Sequence, residues 1–446
     1  MRVTLPESHR GALAWLALTV FACYCNALSG AFQYDDYKII VNNPVVHSWE
    51  AWLANLGHGI RPLLKFSYTL NWTSGLGAAG FHLTNLLIHL CNAYLVYQLA
   101  GEFVRQQPWR ERLKDVPLFT ALLFAAHPIH TEAVTYICGR SISLMMLFYL
   151  AGLLAYATGR AQHNKTSLYL ITPLMFVLAL SVKETAVTFP LALLAWELGC
   201  GGTWKTSLRQ QWPGWAGLLL GSLFFLLNDN YLAQMERSAK LNSLQGNAAT
   251  QLFAFSYLMR QWALPLWLNI DPDLPLLHDA SGIALPLIFF ATAFALMLAC
   301  WRRRQWISFA LAWAMIQLIP LYLFLPRMDI ANDRQMVLAG WPLFLALTTE
   351  LALWMRIRTF RVAATVLLLA LASLTVLRNQ VYVSEIALWE DTVKQSPHKA
   401  RVHNNLGYAY MLAHRNEDAR REFTAALQFD PHYYKARNNL DRLNDQ

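Results

Sequence analysis

A chain of 446 residues that is 56% hydrophobic and only 14% charged is too apolar for a soluble domain of that size. Its formal charge of +9 is no nucleic-acid signal, because the basic residues lie in short loops between apolar stretches, where membrane topology alone requires them. Composition therefore excludes a soluble nucleic-acid-binding protein and predicts a membrane body followed by a polar tail.

A bilayer-spanning helix needs roughly 20 apolar residues. Stretches of that kind recur near 11–29, 81–104, 115–128, 141–158, 166–182, 185–200, 212–228, 283–300, 305–325, 338–355 and 362–378. The predicted fold class is all-α: a polytopic membrane protein of about 11 transmembrane helices over residues 1–380, with a helical module over 381–446. Arg2 and Arg10 precede the first stretch. Arg105, Arg110, Arg112 and Lys114, then Arg160 and Lys165, Lys205 and Arg209, Arg302 to Arg304, and Arg356, Arg358 and Arg361 fall in alternate loops. The positive-inside bias puts those loops and the N-terminus in the cytoplasm and the tail outside. The first stretch has no small-residue cleavage site and reads as a retained helix. Residues 250–268 are apolar enough to span but carry Arg260 in their middle, so an interfacial or re-entrant helix is expected there. The 6 cysteines have no paired spacing for a metal and read as packing residues.

The polar residues at the outer ends of the spans are not scattered. The first outer loop holds Tyr34, Asp35 and Asp36 and runs on to Arg61-Pro62. The second span carries His82, Asn85 and His89 on one helical stripe. Next come His127, His130 and Glu132, then Gly139-Arg140, the turn Lys183-Glu184, Arg260, Asp271, and Asp333-Arg334. Ionisable groups at membrane depth are costly and face a cavity or one another, so these predict one polar cavity opening outward. Adjacent carboxylates supply a general base and a second acceptor, and arginines with a lysine hold a phosphate. That combination fits a transferase using a lipid-borne phosphate donor, and an anion transporter has the same ingredients. Each group also has a bland reading: Asp35-Asp36 as a solvated pair, Lys183-Glu184 as an ion pair pinning a turn, His82 and His89 as helix-to-helix hydrogen bonds. His127, His130 and Glu132 look ligand-like but lack a further Cys or His.

From Ala400 a 34-residue helix-turn-helix register places Leu406, Gly407, Tyr410, Ala419, Phe423, Ala426 and Pro431 at the small, aromatic and proline positions of a tetratricopeptide repeat. Trp389 and Pro397 match the second half of a preceding repeat, and Leu440 begins a following one. One repeat cannot bury its own apolar face. The module must lean on the body, a partner or another copy, as a docking cap or as a platform for an acceptor protein.

Taken in order, Tyr34-Asp35-Asp36 with Asn43-Pro44, Arg61-Pro62-Leu63, Gly80-Phe81-His82 with Asn85 and His89, His127-Pro128 to Glu132-Ala133-Val134 with Gly139-Arg140, Lys183-Glu184, Tyr257-Leu258 leading to Pro265 and Asp271, Asp333-Arg334, Trp389 and Val402 to Gly407 resemble the transmembrane and tetratricopeptide repeat-containing O-mannosyltransferases of the GT-C superfamily. The single full repeat and short loops differ from that family's long arrays. They imply a compact bacterial relative, in the inner membrane with the repeat periplasmic, the endoplasmic reticulum being the alternative. The resemblance implies an inverting transfer of a sugar or glycan from a polyprenyl-phosphate donor to a protein or glycan acceptor. Asp35 is the implied base and Asp36 its assistant. Arg334, Arg260, Arg140 and Lys183 are the implied phosphate ligands. Arg61, His82, Asn85, His89, His127, His130, Glu132, Glu184 and Asp271 would line the acceptor side. The resemblance fixes no cofactor, and a divalent metal stays open because some members of that superfamily use one. A non-catalytic assembly factor and a lipid or anion transporter are the alternatives.

Overall fold

A computed structural model describes residues 9–202, scattered positions between 205 and 236, residues 244–275 and 277, 283–319 and 329–444. Among the described residues there is no strand. The helices of the first half are α1 (His9–Tyr24), α2 (Trp49–Asn55), α3 (Pro62–Thr73), α4 (Gly77–Arg105), α5 (Val116–Ala126), α6 (Thr131–Val134), α7 (Arg140–Ala161), α8 (Thr172–Val182) and α9 (Phe189–Gly199). Those of the second half are α10 (Leu244–Ala263), α11 (Ala284–Cys300), α12 (Gln305–Leu318), α13 (Met336–Ala339), α14 (Trp341–Trp354), α15 (Ile357–Val381), α16 (Glu385–Gln395), α17 (Ala400–Leu412), α18 (Asn416–Phe429) and α19 (Tyr434–Asn444).

Three segments, His9–Ser29, Ile137–Ala161 and Ile357–Val381, are long and apolar enough to cross a membrane, and Asp333–Ala339 with Trp341–Trp354 forms a fourth candidate bent by 61°. They mark the chain as a membrane protein. Val116–Ala126, Ser167–Val182, Ala284–Cys300 and Gln305–Leu318 are apolar but shorter than a straight crossing needs. α4 has the length, at 29 residues, but buried His82, Asn85, His89, Asn92 and Glu102 make it too polar to meet the same test. The stretch expected to lie at the interface is helical only as far as Ala263, as the second half of α10, with Arg260 in the last turn. The span expected at 212–228 lies largely outside the described residues.

α5 is the hub of the body. All its side chains are apolar apart from Thr120, and every residue from Val116 to Ala126 is buried. α1, α4, α14 and α15 surround it. Polar side chains tie these helices together where lipid offers no partner. Thr375 donates to the Ala126 carbonyl at 2.7 Å, and Asn379 donates to the Cys23 carbonyl at 2.7 Å while accepting from Thr135 at 2.7 Å. A second core joins α10, α11 and α12 through Phe255, Leu258, Ala293, Ala310 and Leu318.

The C-terminal helices pack each on the next. Ser384 caps α16 by accepting from the Ala387 amide at 3.1 Å. α17 and α18 meet at Gly407, where a Cβ would lie 2.7 Å from the Phe423 ring, so only glycine allows that approach. Trp389, Leu406, Ala419 and Phe423 form their core, and Tyr34 and Ile270 of the body pack against it. These helices therefore lean on the membrane body.

Candidate active site

Two backbone features aim the first-loop carboxylates. Tyr34 has φ 47°, in the left-handed region that side chains disfavour. Its ring meets Trp389 edge-on at 5.1 Å. After this reversal Asp35 and Asp36 diverge. The Asp35 amide donates to the Tyr136 hydroxyl at 3.1 Å, and its half-buried carboxylate makes no hydrogen bond or ion pair among the described residues. Asp36 turns inward, is 1% exposed, and accepts from the Gln33 and Cys138 amides at 2.9 Å each. Asp36, expected as the assistant of Asp35, is thus engaged by two backbone amides and is not among the residues lining the cleft. Burial pushes its carboxyl up to about 7, against the lowering effect of those bonds.

Asp35 opens into a narrow cleft that also holds Tyr136, Glu132, Arg334, Asp271, Asp329 and Arg401. Glu132, at the start of α6, is placed by a close crossing. A Cβ on Gly139 would lie 2.1 Å from the Glu132 carbonyl oxygen, so a side chain there would push α6 away. Glu132 accepts the Arg334 amide at 2.9 Å and lies 3.4 Å from Arg334 Nε. It is therefore Glu132 that orients Arg334, whereas Asp333 accepts from the Asn269 amide at 3.0 Å. The Arg334 terminal nitrogens have no partner among the described residues. Burial works against the Arg334 charge, but Glu132, Tyr136, Asp329 and Asp35 outweigh it and hold the guanidinium firmly protonated. Burial raises the Asp35 carboxyl above the usual carboxylate range, and Arg334 pulls it back down. The cleft thus pairs an unengaged carboxylate with an arginine whose fork is open.

Asp271 lines the same cleft as an anchor. It accepts from Lys399 Nζ at 2.7 Å and from Arg401 Nε at 2.7 Å, and Arg401 Nη1 lies 2.7 Å from Asp329. Arg401 comes from the first turn of α17, so the C-terminal helices supply one wall. The sequence reading did not single out Arg401, Asp329 or Tyr136.

The remaining candidates lie elsewhere. Arg140 is fully buried. It donates to Asn85 Oδ1 at 2.6 Å and to the Ser67 and Phe81 carbonyls at 3.0 and 2.9 Å, between the rings of Tyr68 and Phe81. Such a guanidinium is committed to neighbouring segments and lies outside the cleft. Each member of the α4 stripe bonds carbonyls of neighbouring segments: His82 through Nε2 with Gly30, Asn85 with Val134 and Ile137, His89 through Nε2 with Ala125. Arg61, with φ 54°, grips Glu184 through Nε at 3.1 Å and Nη2 at 2.7 Å. That ion pair joins α3 to the turn after α8, and buried Lys183 lies beside it, outside the cleft. His127 engages both ring nitrogens, with the Trp262 carbonyl at 3.1 Å and the Ile129 amide at 3.2 Å. His130 is fully buried among the rings of Phe124, His89 and Phe344. His127, His130 and Glu132 do not converge, and among the described residues no group of His, Cys, Asp or Glu is placed to hold a metal. Arg260 lines a separate groove beyond the loop 268–272.

No family model matches the chain, and no solved structure matches it. It is similar to curated protein O-mannosyl-transferases along nearly its whole length. One from Caenorhabditis elegans is 25% identical over 469 residues, covering 96% of this chain and 64% of the relative. Protein O-mannosyl-transferase TMTC1 of Homo sapiens is 26% identical over 524 residues, covering 97% of this chain and 57% of the relative. Over a shorter stretch of 203 residues, 42% of this chain and 23% of the relative, Protein O-mannosyl-transferase Tmtc1 of Drosophila melanogaster is 32% identical. The chain spans about three fifths of the length of the first two.

Proposed function

We propose that the chain is an inverting glycosyltransferase that moves a sugar from a polyprenyl-phosphate donor to a hydroxyl of a protein or glycan acceptor. The observation that carries this reading is the cleft in which the unpaired Asp35 carboxylate and the open fork of Arg334 face the same space. The relatives named as O-mannosyl-transferases support a mannose-type donor and a protein acceptor. In the reaction, Asp35 takes the proton of the acceptor hydroxyl as its oxygen attacks the anomeric carbon. The bond from that carbon to the phosphate oxygen breaks on the opposite face, and the phosphate leaves with the bonding pair. Arg334, held by Glu132, stabilises the charge that develops there. Residues 1–380 form the transferase body and 381–446 a tetratricopeptide-type module on the outer side. The alternating basic loops support a body of about 11 spans with a cytoplasmic N-terminus; several of these spans are short, polar or bent.

The test is Asp35→Asn. Asparagine is nearly isosteric but cannot accept the proton at neutral pH, so transfer from a polyprenyl-phosphate sugar falls about 100-fold or more while thermal stability and donor binding persist. Full activity at unchanged stability would place the base elsewhere.

A further inference from the structure

The loop 268–272 has a cleft on each side. The site described above lies on one side. On the other, between α10 and α16, is a groove of about 310 Å³ lined by Tyr257, Arg260, Gln261, Trp267, Asp273 and Lys394, among others. We propose that this groove binds the phosphodiester headgroup of an anionic phospholipid.

Three observations carry the proposal. First, Arg260 and Lys394 are both exposed, and neither has a hydrogen bond or ion pair among the described residues. Arg260 is held over the Trp267 ring at 5.3 Å, which fixes the guanidinium without consuming its donors. Two cations against the single acid Asp273 leave one net positive charge, the complement of a singly charged phosphodiester. Second, the chain leaving α10 exposes apolar side chains in a row: Leu264 is 54%, Leu266 57% and Trp267 51% exposed. A tryptophan beside leucines and a cation is the composition of a membrane interface. Third, the groove lies near the end of an apolar helix long enough to cross a membrane. Arg378, one turn before the end of the apolar helix α15, reaches Asp391 of α16 at 2.6 Å. α16 therefore folds back beside the end of that helix, and Lys394 follows Asp391 by one turn. The acyl chains would lie along Leu264 and Leu266 while the phosphate meets the two cations.

The experiment is native mass spectrometry of the full-length protein in detergent, titrated with phosphatidylglycerol or with phosphatidylcholine. The wild type should retain one phosphatidylglycerol in preference to phosphatidylcholine. Arg260→Gln with Lys394→Gln should weaken that retention about tenfold or more, while Arg260→Lys with Lys394→Arg keeps it. Circular dichroism of each variant reports whether the fold is intact. Asp35→Asn should retain the lipid as the wild type does, which separates this proposal from the transfer reaction. Equal retention of both lipids, unchanged retention by the folded Gln variant, or displacement of the lipid by millimolar inorganic phosphate would overturn it.

Discussion

Asp271 accepts both Nε and Nη2 of Arg401, so a loop of the membrane body and the first turn of a C-terminal helix are joined by a bidentate ion pair. Removing Arg401 leaves Asp271, only 7% exposed at its side chain, with Lys399 as its one remaining cation among the described residues. Arg401→Ala should therefore cost up to about 3 kcal/mol, and Arg401→Lys somewhat less. The loss should appear locally. Limited proteolysis should cut sooner between α15 and α17, with the body still folded.

Arg334 should be visible in the pH profile. Burial raises the Asp35 carboxyl and Arg334 lowers it, so a base at this position works only above a raised titration point. Arg334→Gln removes the lowering influence and should move the acid limb of kcat/KM to higher pH, as well as reducing the rate. Arg334→Lys should leave the limb nearly in place and weaken donor binding, because the charge stays but the fork is lost. An acid limb that does not move in Arg334→Gln would detach the two residues from one another.

Asp36 should behave as a structural group. Its carboxyl is raised from 3.8 to about 7, chiefly by burial, so the folded state binds this proton more readily than the unfolded chain. The contribution is full below the unfolded value and is lost as pH rises through about 7. Asp36→Asn should flatten that part of the melting-temperature profile. It should also cost about 1–3 kcal/mol, because one of the two amides loses its acceptor. Transfer per folded molecule should survive, and a folded but inactive variant would return Asp36 to the reaction.

Topology can be read by labelling. In a background without the 6 native cysteines, an impermeant thiol reagent applied from outside should modify a cysteine at Arg420 and miss one at Arg303. The reverse result at either position would overturn the proposed arrangement of spans.

Asp35, Glu132 and Arg334 share one cleft and each lies at the start of a helical turn, a kind of position readable from proline, glycine and charge, whereas Asp271 reaches the same cleft from an irregular loop. The stripe His82, Asn85 and His89 left two readings open, a cavity wall or helix-to-helix hydrogen bonds, for a physical reason. A polar stripe looks the same in sequence whether it faces a cavity or the carbonyls of neighbouring segments, and only packing against Gly30, Val134 and Ala125 decides. Arg140 hid in the same way, since a wrapped guanidinium and an open one share a letter. Asp35 and Asp36 are neighbours whose fates are separated by the Tyr34 backbone, which no local pattern announced. Arg401 was missed because the repeat register accounts for residues that hold the helices together, and this one faces out of that register into another part of the chain.

Tyr34 carries a consequence for how the two parts of the molecule influence each other. A tyrosine at φ 47° costs on the order of 1 kcal/mol or more and persists only where its surroundings hold it. Here part of that hold is the edge of Trp389, a residue of α16. The direction in which Asp35 points is thus set jointly, with the membrane body providing the carboxylate and the C-terminal helices providing a brace one residue upstream. A protein or ligand that levers α16 by even a fraction of an ångström would act on the aim of the carboxylate without touching it, in the manner of a set screw on an instrument.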